Sequence, residues 1–398
     1  MQDGPQKSAR TPAPELGLPS KACYVFDTSG YHNGMQPLSD AALAQLKQNI
    51  QLWSRELGFD AIGITGAELE DAGPALQRWL GRGWHGEMAF MSRHADKRAD
   101  PRLLVPGVFR IISVRLGYWS EAGSSAERVL RDSRKAYVAR YALGRDYHRL
   151  MRRKLQRLAD LITEATGPFA YRAFVDSAPV MEKPLGQNAG LGWIGKNTNL
   201  IDPVTGSWFF LGELYTDLPL PVDSPQTDHC GSCTRCAEAC PTNALDAPYQ
   251  LDATLCIAYL TIEHKSSIPE ALRPMIGNRI FGCDDCQLVC PHNREPSQGH
   301  EIFSAREGLD DISLLELFSW TPKTFAENTQ GSAIRRLGYE RWMRNLAVAL
   351  GNGPPDESVI TALRARLGAV SEMVDEHIHW ALRRLVETPA ATNLRDRS

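Results

Sequence analysis

The chain has 398 residues, 43% of them hydrophobic and 23% charged, which is enough to bury two or three separate cores and unlike the balance of a fibre. A formal net charge of -3 excludes bulk attraction to phosphate, so a nucleic-acid partner can be argued only from local patches. No run of roughly 18 apolar residues occurs, and the first residues lack the apolar stretch of a signal peptide; the expectation is a cytoplasmic protein without membrane contact.

Residues 1–37 are rich in Pro, Gly, Ser, Gln and Asp with no sustained apolar period, and read as a disordered extension in which Cys23 has no role. From Leu38 a helix is signalled, with Ser39 or Asp40 as its cap and Leu43, Leu46, Ile50, Trp53 and Leu57 recurring at helical spacing before Gly58. Strands are expected over Phe59–Thr65, Phe109–Leu116, Tyr171–Val175 and Ser207–Leu214, with helical period at 147–163, which makes residues 38–222 an α/β domain. Between the last two strands lies Gly190-Leu191-Gly192-Trp193-Ile194-Gly195-Lys196-Asn197, where glycines would let the backbone approach a flat ligand and Trp193 would add apolar area. A Pro- and Asp-rich linker, Asp217 to Asp228, leads into a cysteine region at 223–300, and residues 301–398 read as successive helices interrupted at Gly351-Asn352-Gly353-Pro354-Pro355.

Eight of the nine cysteines fall between Cys230 and Cys290. In a reducing compartment such a cluster reads as metal-binding and not as a disulfide framework. Cys230-x2-Cys233-x2-Cys236-x3-Cys240-Pro241 is the bacterial ferredoxin pattern, in which three thiolates hold one cubane and the fourth reaches to another. A second set follows as Cys256, then Cys283-x2-Cys286-x3-Cys290-Pro291. By reciprocity Cys290 completes the first [4Fe-4S] cluster with Cys230, Cys233 and Cys236, and Cys240 joins Cys256, Cys283 and Cys286 around the second. A zinc ribbon also uses paired Cys-x2-Cys, but needs no Cys-x3-Cys-Pro after each set. Two adjacent clusters make a path for single electrons.

Beyond the cysteines, Arg140-Tyr141-Ala142-Leu143-Gly144-Arg145-Asp146-Tyr147-His148, Val175-Asp176-Ser177-Ala178-Pro179-Val180-Met181-Glu182-Lys183-Pro184, Gly190 to Asn197 and Phe281-Gly282-Cys283-Asp284-Asp285-Cys286 carry a family resemblance. Over roughly residues 38–390 the chain resembles the epoxyqueuosine reductases, cobalamin-dependent tRNA-modifying enzymes. The resemblance implies an α/β cobalamin-binding domain, a ferredoxin-like two-cluster insert and a C-terminal all-α domain of HEAT-like repeats. It also implies reduction of the epoxide of epoxyqueuosine in the tRNA anticodon loop to the alkene of queuosine, a low-potential electron donor, and a monomer. Asp176 matches the proton-donor position, and its carboxyl pKa would have to be raised by burial. Gly192, Trp193, Gly195, Lys196, Asn197, Thr198 and Asn199 would lie beside the cobalamin, with Arg98 and Arg140 as further contacts. Chemistry fits: removing an epoxide oxygen takes two electrons, a reactive centre at carbon and a proton for the departing oxygen, and cubanes alone supply only electrons. A reductive dehalogenase-like corrinoid enzyme and a non-catalytic electron carrier are the alternatives.

The string Asp375-Glu376-His377-Ile378-His379-Trp380 lacks the glycine of a cobalt-binding histidine motif, and His377 with Trp380 reads as one packed helix face. For RNA, ten Lys or Arg between Arg131 and Arg157 stand against Asp132 and Asp146, a local basic surplus. Arg335, Arg336, Arg341 and Arg344 form a second expected patch, followed by Arg383 and Arg384. Arg344–Asn352 and His379–Leu385 share a pattern about 35 residues apart that suits a pair of stacked helical repeats.

Overall fold

The computed structural model describes residues 38–120 and 125–387, so the extension at 1–37 and Cys23 lie outside the described residues. Helix α1 (Asp40–Glu56) begins where expected, with the Ser39 hydroxyl accepting the Ala42 N–H at 3.3 Å. Strands β1 (Ala61–Thr65) and β2 (Arg110–Gly117) follow. The two-residue strand β3 (Tyr137–Val138) precedes helix α2 (Tyr147–Thr166), which leads to β4 (Tyr171–Phe174). A short helix α3 (Glu182–Asn188), the hairpin of β5 (Trp193–Ile194) and β6 (Leu200–Ile201), and strand β7 (Phe209–Thr216) complete this part. The sheet order is β1-β2-β7-β4, and all its pairings are antiparallel. Leu43, Leu46 and Ile50 of α1 and Met151, Leu155, Leu158 and Ile162 of α2 pack with Ile112, Val114 and Leu214 of the sheet in one buried cluster. Apolar residues at three- and four-residue spacing therefore do what the sequence asks of them: each helix lays one stripe on the sheet.

Helix α4 (Ile257–Ile262) and strand β8 (Arg279–Phe281) sit among the cysteines, and β8 pairs in parallel with β3, tying the cysteine region back to the sheet domain. The C-terminal part holds α5 (Tyr339–Gly351), α6 (Glu357–Arg366) and α7 (Glu372–Glu387). Gly351 lies so close to Ala381 and Trp380 that a Cβ there would come within 2.8 Å of them, so the two stretches of similar pattern do pack on each other. Ile257, Leu260, Ile280 and Phe281 share one core with Leu346, Val348, Ile378 and Trp380. The boundary expected at 300/301 thus runs through a single hydrophobic core. His377 is fully buried, its Nε2 accepting the Ile268 N–H at 3.1 Å, as a packed histidine would be. Among the described residues no helix is long and apolar enough to cross a membrane.

Candidate cofactor site and acid

The eight cysteines are all unbridged. Burial raises the Cys236 and Cys290 thiols, and the closeness of Cys230 and Cys233 raises both further, which puts these four in one group. Cys286 is pushed up first by burial and then by Cys256, Asp284, Cys236 and Cys240, and Cys256 by burial and then by Cys240. Cys283 packs with Cys256 on the edge of the C-terminal core, its Sγ 2.5 Å from Asp285 Oδ2. The cysteines of the two sets thus lie near one another, Cys286 being close to members of both.

The glycine-rich stretch does something other than expected. A Cβ on Gly192 would stand 2.3 Å from the Ile201 carbonyl oxygen, and one on Gly195 would stand 2.4 Å from Ile201 Cδ1, so both glycines are required by the β5–β6 hairpin itself. Its side chains turn to the cysteines. Trp193, 1% exposed, donates Nε1–H to Cys230 Sγ at 3.4 Å, and Lys196 Nζ donates to the carbonyls of Gly231 at 2.6 Å and Cys233 at 3.0 Å. Asn197 donates to the Cys286 carbonyl at 3.2 Å, and Asn199 Nδ2 lies 3.9 Å from Cys286 Sγ. The hairpin is a clip on both cysteine loops, because only a chain this tight can reach both at once.

Beside it opens a cleft of about 1290 Å³, lined by Leu69, Trp79, Met181, Lys183, Thr198 and Tyr249 among others. That exceeds the usual space for a drug-sized ligand, roughly 300–1,000 Å³, and suits a macrocyclic group. Of the residues expected to touch the corrin, Trp193 and Thr198 line this cleft. Arg98 and Arg140 lie outside the lining of this cleft. Arg98 is buried, with Nη1 donating to the carbonyls of Ala178 at 3.5 Å and Val180 at 3.4 Å, so it props the loop after β4. Arg140 borders a separate hollow of about 450 Å³ with Trp119 and Trp208, its guanidinium 5.2 Å from the Trp119 ring.

Asp176 directly follows the end of β4 region at Val175 and has φ +23, a sparsely populated conformation that a non-glycine residue holds only when its surroundings fix it. Its Oδ2 is 3.4 Å from His148 Nε2. His148 is held from the other side by Asp146, whose Oδ1 accepts from Nδ1 at 2.6 Å, while Arg336 Nη2 donates to Asp146 Oδ2 at 2.6 Å. Tyr147 stacks on Phe210 at 3.8 Å and also reaches Asp176. Just over half of the Asp176 side chain is open, yet protein atoms ring it. Burial alone would raise its carboxyl, but the hydrogen bonds from His148 and Tyr147 hold it below the usual carboxylate value. Burial would lower His148, and its bonds to Asp146 and Asp176 raise it instead. The rise expected for Asp176 depends on burial against the corrin and the substrate; in the protein alone the hydrogen-bond donors next to the carboxyl outweigh its desolvation.

The second basic patch is also revised. Arg344 is fully buried, donating to the carbonyls of Leu260 at 2.8 Å, His264 at 2.9 Å and Ser266 at 2.7 Å, and Arg341 is engaged with the Ile262 carbonyl at 2.8 Å. Arg335 and Arg336 remain exposed, as do Arg145, Arg149, Arg152, Arg153 and Arg157 on or just before α2. Arg152 Nη2 donates to Ser177 Oγ at 2.8 Å, which brings this patch next to Asp176. Sequence reasoning gave no role to the half-buried Glu182 or the fully buried Glu213 behind Asp176; a lone Glu within the apolar run Phe209-Phe210-Leu211-Gly212-Glu213-Leu214 was the available signal.

Comparison with known proteins adds the family. Residues 229–293 match a 4Fe-4S double cluster binding domain, and residues 98–177 match the family described as epoxyqueuosine reductase QueG, DUF1730. With the neighbouring cysteines of the two sets, the first match defines an iron–sulfur protein that carries two [4Fe-4S] clusters. The epoxyqueuosine reductase of Pseudomonas aeruginosa is 54% identical over 360 residues, covering 89% of this chain and 99% of that protein. The Escherichia coli enzyme of the same name is 50% identical over 346 residues, covering 87% and 91%. A crystal structure of epoxyqueuosine reductase with an epoxyqueuosine-modified tRNA-Tyr stem loop superposes with a TM-score of 0.78 at 28% identity, covering 86% of this chain and 90% of that one. The chain belongs to the epoxyqueuosine reductase family.

Proposed function

We propose that this protein reduces the epoxide of epoxyqueuosine in a tRNA anticodon loop to the alkene of queuosine, with Asp176 as the proton donor, cobalamin in the large cleft and electrons arriving through the two clusters. The observation that carries this reading is the Asp176–His148–Asp146 array, set in a strained turn beside an arginine-rich surface and a few residues from Met181 and Lys183 of the cleft. Cys230, Cys233, Cys236 and Cys290 hold one cluster, and Cys240, Cys256, Cys283 and Cys286 the other. When bound, cobalamin supplies the strongly nucleophilic metal centre that cleavage at carbon demands.

The protein's own residues do the rest. Asp176 takes the proton it shares with His148 and delivers it to the epoxide oxygen, and His148, fixed by Asp146, keeps that proton in line. Tyr147, pinned by Phe210, walls the other side of the carboxyl. Arg145, Arg149, Arg152 and Arg153 with Arg335 and Arg336 meet the phosphates of the anticodon stem-loop, whose unstacked base enters beside Asp176. The C-terminal helices are read as a HEAT-like pair that backs this surface, the enzyme as a cytoplasmic monomer, and its reductant as a low-potential one-electron donor. The test is Asp176→Asn, which keeps the shape of the side chain but cannot give up a proton. In single turnover from pre-reduced enzyme, queuosine should form roughly 10²–10⁴-fold more slowly, with iron content and tRNA affinity unchanged. Wild-type speed in that variant removes Asp176 from the mechanism.

A further inference from the structure

Turning an epoxide into an alkene and water consumes two protons, not one. Both carbon–oxygen bonds break, a carbon–carbon double bond forms, two electrons enter from the one-electron donor, and the oxygen leaves carrying two hydrogens. Asp176 can deliver a single proton before it must be reloaded, and an RNA loop lying over the arginine surface would cover its route to solvent.

Behind Asp176 the structure holds two more carboxyls. Glu182, the first residue of α3, accepts the backbone N–H of Asp176 and has its Oε2 buried without a partner. Glu213 of β7 is 0% exposed, neither of its carboxyl oxygens has a hydrogen-bond partner, and it sits in register with Phe174 of β4 and with Ser113 of β2, whose hydroxyl is likewise buried and unpartnered. The groups facing this pair are Asp176, His148, Tyr147, Lys183 and Arg98. Two cations on this side are engaged elsewhere: Lys183 Nζ donates to the Thr198 carbonyl at 3.0 Å, and Arg98 to the carbonyls of Ala178 and Val180. An ionised carboxylate buried without a cation or donors is too costly to persist, so such groups stay protonated. A small cavity of about 120 Å³ bordered by Glu182, Lys183, Tyr147 and Asn199 has room for water, which needs about 10–15 Å³ per molecule, and Tyr147 on its wall also hydrogen-bonds Asp176.

We propose that Glu182 and Glu213 form a proton store behind Asp176, and that Glu182 reloads Asp176 with the second proton of the reaction while the RNA is bound. Glu182 acts through Asp176 and is a positioning residue for the proton. Burial, and then the neighbouring Asp176 charge, push the Glu182 carboxyl up to about 8, and burial, then Glu182 and Asp176, raise Glu213 well above the usual carboxylate range. The inference rests on the function proposed above.

The experiment compares wild type, Glu182→Gln and Glu213→Gln as loaded enzymes in single turnover across pH 6–10, alongside infrared spectra of the proteins in the protonated-carboxyl region. Wild-type queuosine formation should fall as pH rises through about 8. Glu182→Gln should be slower by roughly tenfold or more below that pH and lack the falling limb, with KM for tRNA and iron content unchanged. The infrared band of a neutral carboxylic acid should be present in wild type at pH 7, diminish in each variant, and titrate away near 8 in Glu213→Gln, which keeps the test alive if Glu182→Gln does not fold. If wild type forms no queuosine at any pH, the assigned reaction is wrong and the inference falls with it. If wild type turns over and the variants match it in rate and pH profile, or the infrared band is absent, the proton store alone is overturned.

Discussion

Replacing Arg344 by Ala should loosen the C-terminal helices from the segment that follows Cys256. The guanidinium donates to the carbonyls of Leu260, His264 and Ser266 and to Asn345 Oδ1, with none of its surface exposed. Losing it leaves the buried Leu260 carbonyl without this donor, at about 1–3 kcal/mol, weakens the part-buried sites at His264 and Ser266, and opens a cavity besides. Against this stands the desolvation the charge suffers: burial brings its pKa down from 12.5 to about 10, which at about 1.4 kcal/mol per unit is worth about 3 kcal/mol. Breaking a buried charged network generally costs about 3–5 kcal/mol, and a loss of that order is expected here. Thermal unfolding of the anaerobic iron-loaded protein should show a melting temperature lower by about 10 °C, at about 2–4 °C per kcal/mol for a unit of this size. The affinity for tRNA, measured on folded protein at low temperature, should hold. An Arg344→Ala protein that melts like wild type but binds tRNA weakly with a shallower salt dependence would refute the buried-anchor reading and restore Arg344 to the RNA surface.

Two further predictions follow from the same geometry. Reversing Arg149, Arg152 and Arg153 to Glu should weaken tRNA binding and reduce the slope of log affinity against log salt by about one per lost phosphate contact, read by titration at several salt concentrations, while melting stays within a few degrees of wild type. Asp146 is brought down to about 2, burial being outweighed by hydrogen bonds from His148. A depressed acid stabilises the folded state above its unfolded pKa of about 3.9 and loses that contribution as pH falls toward the folded value. Asp146→Asn should therefore cost about 1–2 kcal/mol at pH 6, after allowance for solvent screening, and almost nothing near pH 2, as denaturation at the two pH values would show.

The elements that depend on local rules were legible in the sequence. Ser39 caps α1, the apolar stripe of α1 faces the sheet, and the strands lie within a few residues of their expected places. The two-cluster cysteine region was legible too, because the Cys-x2-Cys-x2-Cys-x3-Cys-Pro spacing is that of a ferredoxin. What depends on tertiary context was not. Arg344 has the spacing of a solvated helix face and is buried only because α4, through Leu260, and the loop after it, through His264 and Ser266, present carbonyls to it. The hairpin at Gly192 and Gly195 looks like a ligand cradle, and only its register against Ile201 shows that the glycines serve the turn. β7 is buried along both faces, so no alternation marks Glu213 as special, and its isolation from any cation is invisible until the neighbouring strands are in place.

The core shared by α4, β8, α5 and α7 has a consequence for the order in which the molecule can be built. Ile257 and Phe281 close their packing against Leu346 and Trp380, residues synthesised long after them, while β8 must reach back to β3 at Tyr137 and Val138. Contacts of such long sequence separation form late, because the entropy of closing the intervening loops is spent before any contact repays it. Cys256, at the N-terminus of α4, and Cys283, just after β8, are thus not held in place until α7 has left the ribosome. Insertion of the second cluster is in this sense the closing event of folding, and a chain interrupted anywhere in its last helices would leave that cluster's ligands unassembled.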